Sequence, residues 1–182
     1  MIVNKDQIAL VNDNDIVIGY DDKFEVHKKG LLHRAFSVFV VNNKNEMMLQ
    51  RRSFHKYHSG GLWTNTCCSH MLLGEEFAES IHNRLQEEMG FDCDLEHVFN
   101  FRYKTAFTNG LVENELDHVY VGQFNGEPIP NKDEVCDWKW MNLEDIANEL
   151  NINEELYTVW FKIAFEKLVP LIKNSNYQFS NY

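Results

Sequence analysis

Proline is nearly absent, 3 in 182 residues, and there is no repeat or compositionally biased tract, so this is neither a collagen-like nor a disordered chain. Cations are also scarce. Against 28 Asp and Glu stand 17 Lys and Arg, a formal net charge of −11. Nucleic-acid binding needs a basic face to meet the phosphates, so no such partner is expected. A small anion can still be held wherever cations gather locally. The longest apolar run, Ala35 to Val41, is interrupted by Ser37 and falls far short of a bilayer span. Met1-Ile2-Val3-Asn4-Lys5-Asp6 lacks the apolar core of a signal peptide, so a cytoplasmic protein with no membrane association is expected. Cys67, Cys68, Cys93 and Cys136 show no framework spacing and read as reduced thiols.

What is present suits one globular domain spanning 1–182, with about 174–182 a loosely held tail. A chain of this length buries roughly two thirds of its unfolded surface, so no staple is needed. Gln7–Asn12 and Ile16–Tyr20, joined by Asp13-Asn14-Asp15, read as a hairpin. A polar segment carrying Lys23, His27 and His33 follows. Arg34–Asn42 is apolar on both alternating faces, as for a strand covered on both sides. Met47–Arg52, Glu96–Tyr103, Leu116–Phe124 and Cys136–Met141 read as further strands, the last with Trp138 and Trp140 on one face. Gly74–Phe91 reads as one amphipathic helix, because Phe77, Ala78, Ile81, Leu85 and Met89 recur at helical spacing and Gly90 can end it. Asn142 caps another helix, with Asp145 as an imperfect capping-box partner, and Leu156–Leu168 forms the last. This order predicts an α/β chain: an α/β/α sandwich with a central mixed sheet and an N-terminal hairpin extension.

Chemistry concentrates in a few places. Cys68 and His70 stand two apart on an extended segment and share a side, whereas Cys67 faces the other way and reads as packing. Arg84, Glu87 and Glu88 share a helix face away from the apolar stripe. His27, His33 and His70 each lie beside a segment expected to face one central region, and Glu113 and Glu115 fall on one side of a strand. This His3Glu2 set suits a near-octahedral divalent ion such as Mn2+, Mg2+ or Zn2+ better than a closed tetrahedral zinc site. His55, His58, His82, His97 and His118 read as ordinary surface or core histidines. Each candidate also has an ordinary reading when taken alone: Cys68 as a small buried hydrophobe, Glu87 and Glu88 as a solvated face, Trp160 as core.

Four segments in order decide between those readings: His27-Lys28-Lys29-Gly30-Leu31-Leu32-His33-Arg34-Ala35-Phe36-Ser37; Trp63-Thr64-Asn65-Thr66-Cys67-Cys68-Ser69-His70; Glu75 with Glu87-Glu88-Met89-Gly90-Phe91; and Glu113-Asn114-Glu115. Through them the chain resembles the type I isopentenyl diphosphate isomerases of the Nudix superfamily. Glu75, Leu85, Glu87, Glu88, Gly90 and Phe91 fit the general Nudix box, while Ser69, Asn83 and Arg84 replace its first Gly, its Arg and the Glu after that Arg. Arg84 removes a carboxylate that a hydrolase would use to hold ions and offers a bidentate clamp for an intact diphosphate.

The resemblance implies a Nudix fold and interconversion of isopentenyl and dimethylallyl diphosphate through a tertiary carbocation. Cys68 and Glu115 would be the two acid/base groups, with Tyr103 assisting near Glu115 and the Trp160 ring face steadying the cation. His27, His33, His70, Glu113 and Glu115 would hold one ion (Mn2+, Zn2+ or Mg2+). Glu88, with the Cys68 backbone carbonyl, would help place Mg2+ on the diphosphate. Lys23, Arg52, Lys56 and Arg84 would bind that diphosphate, and no flavin is implied. A monomer or weak homodimer acting on a small isoprenoid diphosphate is expected. The alternative is a Nudix pyrophosphohydrolase acting on nucleoside or other diphosphates, which Glu75, Glu87 and Glu88 motivate and Arg84 opposes.

Overall fold

In the computed structural model, which describes residues 6–174, β1 (Gln7–Val11) and β2 (Val17–Asp22) pair antiparallel as the expected hairpin. The turn is set by Asn12, whose side chain accepts the N–H groups of Asn14 and Ile16. The polar segment that follows is not featureless. It contains α1 (Lys23–Lys29), capped where the Asp22 side chain accepts the N–H groups of Phe24 and Glu25, and ended by Gly30 at φ 61. Seven residues are too few for an apolar period to register, which is why spacing did not reveal it. The helix turns Val26 and His27 into the protein.

Next come β3 (His33–Val41), β4 (Glu46–Arg52), β5 (Trp63–Thr64), β6 (Cys67–His70), α2 (Phe77–Met89), β7 (Leu95–Ala106), β8 (Val112–Gln123), β9 (Val135–Asn142), α3 (Leu143–Ile152) and α4 (Val159–Asn174). The strands form a nine-stranded mixed sheet around β3. Along one edge β3 runs parallel to β8, from His33 opposite Glu115 to Val41 opposite Gln123. Its other edge is shared by β1 at His33, β6 over Ala35–Val38 and β4 at Val41. β7 extends the sheet beyond β8, and β9 pairs with β4.

Alternation along β3 divides the core in two. Phe36, Val38 and Val40 pack with Ile81, Leu85 and Met89 of α2. Phe39 and Val41 face the other way, against Phe161, Phe165 and Leu168 of α4 and Ile146 of α3. Helices therefore cover both faces of the sheet, the expected α/β/α sandwich. Trp138 and Trp140 share the α2 side, as their parity predicts.

Boundaries differ for local reasons. α2 starts at Phe77, because Gly74 (φ 86) turns the chain and the Glu75 N–H closes on the Leu72 carbonyl. α4 starts at Val159, and Leu156 belongs to the short 3-10 turn Glu154–Leu156 before it. Asn142 caps α3 by accepting the Glu144 N–H at 2.8 Å. Of the expected tail, Asn174 closes α4 and 175–182 lie outside the described residues. Among the described residues no helix is long and apolar enough to cross a membrane.

Candidate active site

The parallel register between β3 and β8 sets His33 directly beside Glu115. Residues two apart on a strand share a face, so Glu113 joins Glu115, and His70 at the end of β6 arrives opposite Ala35 on the far edge of β3. The first helix adds His27 from its buried side. One potential ligand atom each from His27, His33, His70 and Glu113 lies within 4.8 Å of the others. His27 Nε2 is 3.0 Å from Glu113 Oε1, and His33 Nε2 is 3.4 Å from Glu113 Oε2 and 3.6 Å from Glu115 Oε1. His70 Nε2 lies 2.9 Å from Glu115 Oε1.

Backbone carbonyls orient two of these rings. His27 Nδ1 donates to the Lys23 carbonyl at 2.5 Å and His33 Nδ1 to the Leu31 carbonyl at 2.9 Å, so both Nε2 atoms face the carboxylates. His33 Nε2 and Glu113 Oε2 are buried, and among the described residues neither has a hydrogen-bond partner. Orphaned lone pairs converging from imidazole and carboxylate fit a divalent cation, whose charge would satisfy them all.

Charge in the cluster is divided unevenly. Burial opposes ionisation of Glu113, but the imidazoles of His27, His33 and His58 set against it prevail and hold its carboxyl well below the usual range. Glu115 goes the other way, pushed up to about 7 by burial and then by the Glu113 charge. Burial also disfavours protonated His33, yet the two carboxylates outweigh it and lift the ring to about 10. Burial holds His70 well below its ordinary value.

Above this cluster lies a cleft of about 500 Å³, its open mouth included. Cys68, Tyr103, Glu115 and Trp160 all line it, so the four residues expected to carry the chemistry are brought together. Burial pushes the Cys68 thiol up to about 12, with the Arg52 guanidinium 3.7 Å from its sulfur opposing the rise. Tyr103 donates to Glu115 Oε2 at 2.7 Å. Trp160 is nearly buried in the first turn of α4, and Arg52 lies over its ring, 5.2 Å from the centroid. Cys67 packs on the α2 side of the sheet, away from Cys68 as parity predicts.

Lys23, Arg52, Lys56 and Arg84 line the same cleft, but two of them already hold anions. Arg84 donates to Glu87 at 2.7 Å and to Glu88 at 2.6 Å, and lies 3.6 Å from Glu134. Lys56 closes on the Glu134 carboxylate. Glu88 is not on a solvated face: it is buried and also accepts from Gln50 Nε2 at 3.0 Å.

Three residues absent from the sequence expectations sit here. Asp117 continues the parity of Glu113 and Glu115, which could have revealed it, and accepts from Ser37 Oγ at 2.8 Å. Glu134 comes from the connection before β9, where no spacing points to it. His58, expected to be ordinary, is buried with Nε2 2.7 Å from Glu113 Oε1. It comes from the loop between β4 and β5, so no strand or helix period signals it.

Comparison with known proteins gives the family. The NUDIX domain model matches residues 31–161. The chain is 50% identical over 155 residues to an isopentenyl-diphosphate Delta-isomerase 2 of Photorhabdus laumondii, covering 85% of this chain and 88% of that one. It is 44% identical over 165 residues to an isopentenyl-diphosphate Delta-isomerase 2 of Aromatoleum aromaticum, covering 91% and 87%. Among solved structures, DR0079 from Deinococcus radiodurans superimposes with a TM-score of 0.67 at 16% identity, over 81% of this chain and 90% of that one, which speaks for the fold alone. With its fold, its NUDIX match and relatives of this identity over most of its length, the chain belongs to the isopentenyl-diphosphate Delta-isomerase family within the NUDIX superfamily.

Proposed function

We propose that this protein interconverts isopentenyl diphosphate and dimethylallyl diphosphate. The observation that carries the reading is a half-buried thiol, Cys68, and a buried carboxylate, Glu115, lining one cleft together with four cations. Burial keeps Cys68 protonated at neutral pH, so it can give a proton to the terminal methylene carbon. Glu115, poised near neutrality, takes a proton from the carbon on the other side of the branched centre. One C–H bond forms, one breaks, and the double bond moves by one position with no change in net protonation of the substrate. The Trp160 ring face meets the positive charge that develops between the two steps. Tyr103 fixes the Glu115 carboxylate for that transfer.

Lys23, Arg52, Lys56 and Arg84 bind the diphosphate, with Lys56 and Arg84 exchanging their carboxylate partners for phosphate oxygens. His27, His33, His70, Glu113 and Glu115 would hold a Mn2+, Zn2+ or Mg2+ ion, and Glu88 with the Cys68 carbonyl would help place Mg2+ on the diphosphate, where such an ion would offset the standing negative charge of the phosphates. The enzyme works as a single domain in the cytoplasm, as a monomer or weak homodimer.

The test is incubation with isopentenyl diphosphate and Mg2+, with and without Mn2+ or Zn2+, followed by product separation. Cys68→Ala abolishes incorporation of label from heavy water, whereas Cys67→Ala retains it. Phosphate release from nucleotides without isomerisation would instead make the protein a pyrophosphohydrolase.

A further inference from the structure

His58 has no role in the reading above, yet its ring is held by aromatic neighbours. One face stacks on Phe107, with centroids 4.4 Å apart at 12°. Its edges meet Tyr57 at 4.5 Å and 88° and Trp160 at 6.0 Å and 89°. Aromatic contacts on three sides leave the imidazole little freedom to turn. Nδ1 is 3.2 Å from Ser59 Oγ, which gives that nitrogen a local partner. When Nδ1–H donates to the hydroxyl, the lone pair is on Nε2.

The direction of Nε2 is informative. It lies 2.7 Å from Glu113 Oε1, the oxygen that His27 also approaches, but the contact does not have hydrogen-bond geometry. Nε2 is buried and, among the described residues, has no hydrogen-bond partner, the same condition as His33 Nε2. An imidazole fixed by stacking, with an orphaned nitrogen against a carboxylate oxygen, stands as His33 does in the cluster. Separations there run from 2.9 to 3.6 Å. Neighbouring donors on a six-coordinate divalent ion, with bonds near 2.1 Å at right angles, stand about 3 Å apart. At 2.7 Å the His58 contact is slightly shorter than those separations and close to that spacing.

We infer that His58 is a further nitrogen donor of the metal centre, so that the set is four imidazoles with two carboxylates. The inference rests on the proposed centre at His27, His33, His70, Glu113 and Glu115 and deepens it. It also bears on ion class. A nitrogen-rich set favours a transition ion over Mg2+, which prefers oxygen and retains water.

Co2+ alone is a suitable probe, since its visible d–d bands change in position and intensity when a nitrogen donor is lost. The full chain is stripped of metal and titrated with Co2+ as wild type, His58→Gln, His58→Phe and His33→Ala. The phenyl variant keeps the aromatic stack, and far-UV circular dichroism checks that each variant is folded. The expected result is a Co2+ affinity at least about tenfold weaker in both His58 variants, with altered d–d bands. Exogenous imidazole restores the wild-type spectrum in His58→Gln. If His33→Ala weakens Co2+ binding while folded His58 variants keep wild-type affinity and spectrum, His58 is not a donor and the inference fails alone. If His33→Ala also binds Co2+ as wild type does, the centre itself is refuted and the inference with it.

Discussion

Glu115 carries two demands at once, because it faces the histidine cluster through Oε1 and receives the Tyr103 hydroxyl on Oε2. Glu115→Gln keeps the shape and removes the proposed base, and kcat for isomerisation should fall about 10²–10⁴-fold. Tyr103→Phe removes one hydrogen bond to that carboxylate and should cost about tenfold at most, since such a bond is worth about 0.5–1.5 kcal/mol. Product separation at saturating substrate measures both. Under the proposed diphosphate role of Lys56 and Arg84, Glu134 bears on substrate capture instead. It holds Lys56 and stands beside Arg84 at the cleft, while its backbone carbonyl accepts from Ser53 at the base of the Lys56 loop. Losing such a partly exposed pair, which the diphosphate must otherwise displace, is worth about 0.2–1 kcal/mol, so Glu134→Gln should lower KM by up to about fivefold with kcat little changed. A fall in kcat instead would mean that Glu134 touches the chemistry.

The helix α2 shows how an element's ends and middle are fixed by different physics. Gly90 ends it at φ 76, and a Cβ added there would lie 2.4 Å from the Ile129 carbonyl oxygen. Gly90→Ala should therefore cost more than about 1 kcal/mol, read from the urea midpoint. Leu85, wholly buried in the middle, should cost about 2–5 kcal/mol as Leu85→Ala. Both positions were legible in sequence, Leu85 from the apolar stripe and Gly90 from the stop signal. So were β3, apolar on both faces, and the shared side of Cys68 and His70. The α1 helix was not, since it lacks length for a period; its only marks were the Asp22 cap and Gly30. Nor was the burial of Glu88, because Gln50 reaches it from a distant strand. His58 and Glu134 were hidden for the same reason: loops place them, and loops have no period.

The β1–β2 hairpin is tied to the sheet by charge. Asp15 at its turn accepts from Arg34 at 2.8 Å and lies 3.0 Å from His118 Nε2. Burial lowers the His118 pKa below its ordinary 6.5 and outweighs the pull of Asp15 in the other direction. The unfolded chain therefore takes the proton more readily. Stability from this group is full above about 6.5 and is lost as pH falls through the lower folded value. Melting temperature should drop between pH 7.5 and 5.5, and the drop should be smaller in His118→Gln.

Across the whole molecule, the histidine and carboxylate cluster draws on α1, β3, β6 and β8, so an ion held there clamps four elements. Co2+ or Mn2+ at 100 times its dissociation constant should raise stability by about 2.7 kcal/mol over the chelator-treated protein, seen as a higher melting temperature. The parallel pairing of β3 with β8 gives this clamp a place in time as well as in space. Ser37 and Asp117, bonded across that pairing, stand 80 positions apart in the chain. Contacts over such a distance form slowly, because loop closure must come before they bring any gain. On the ribosome, β3 emerges with its apolar residues long before β8 exists to cover that edge. The complete donor set, and with it the clamp, therefore exists only after that pairing has formed.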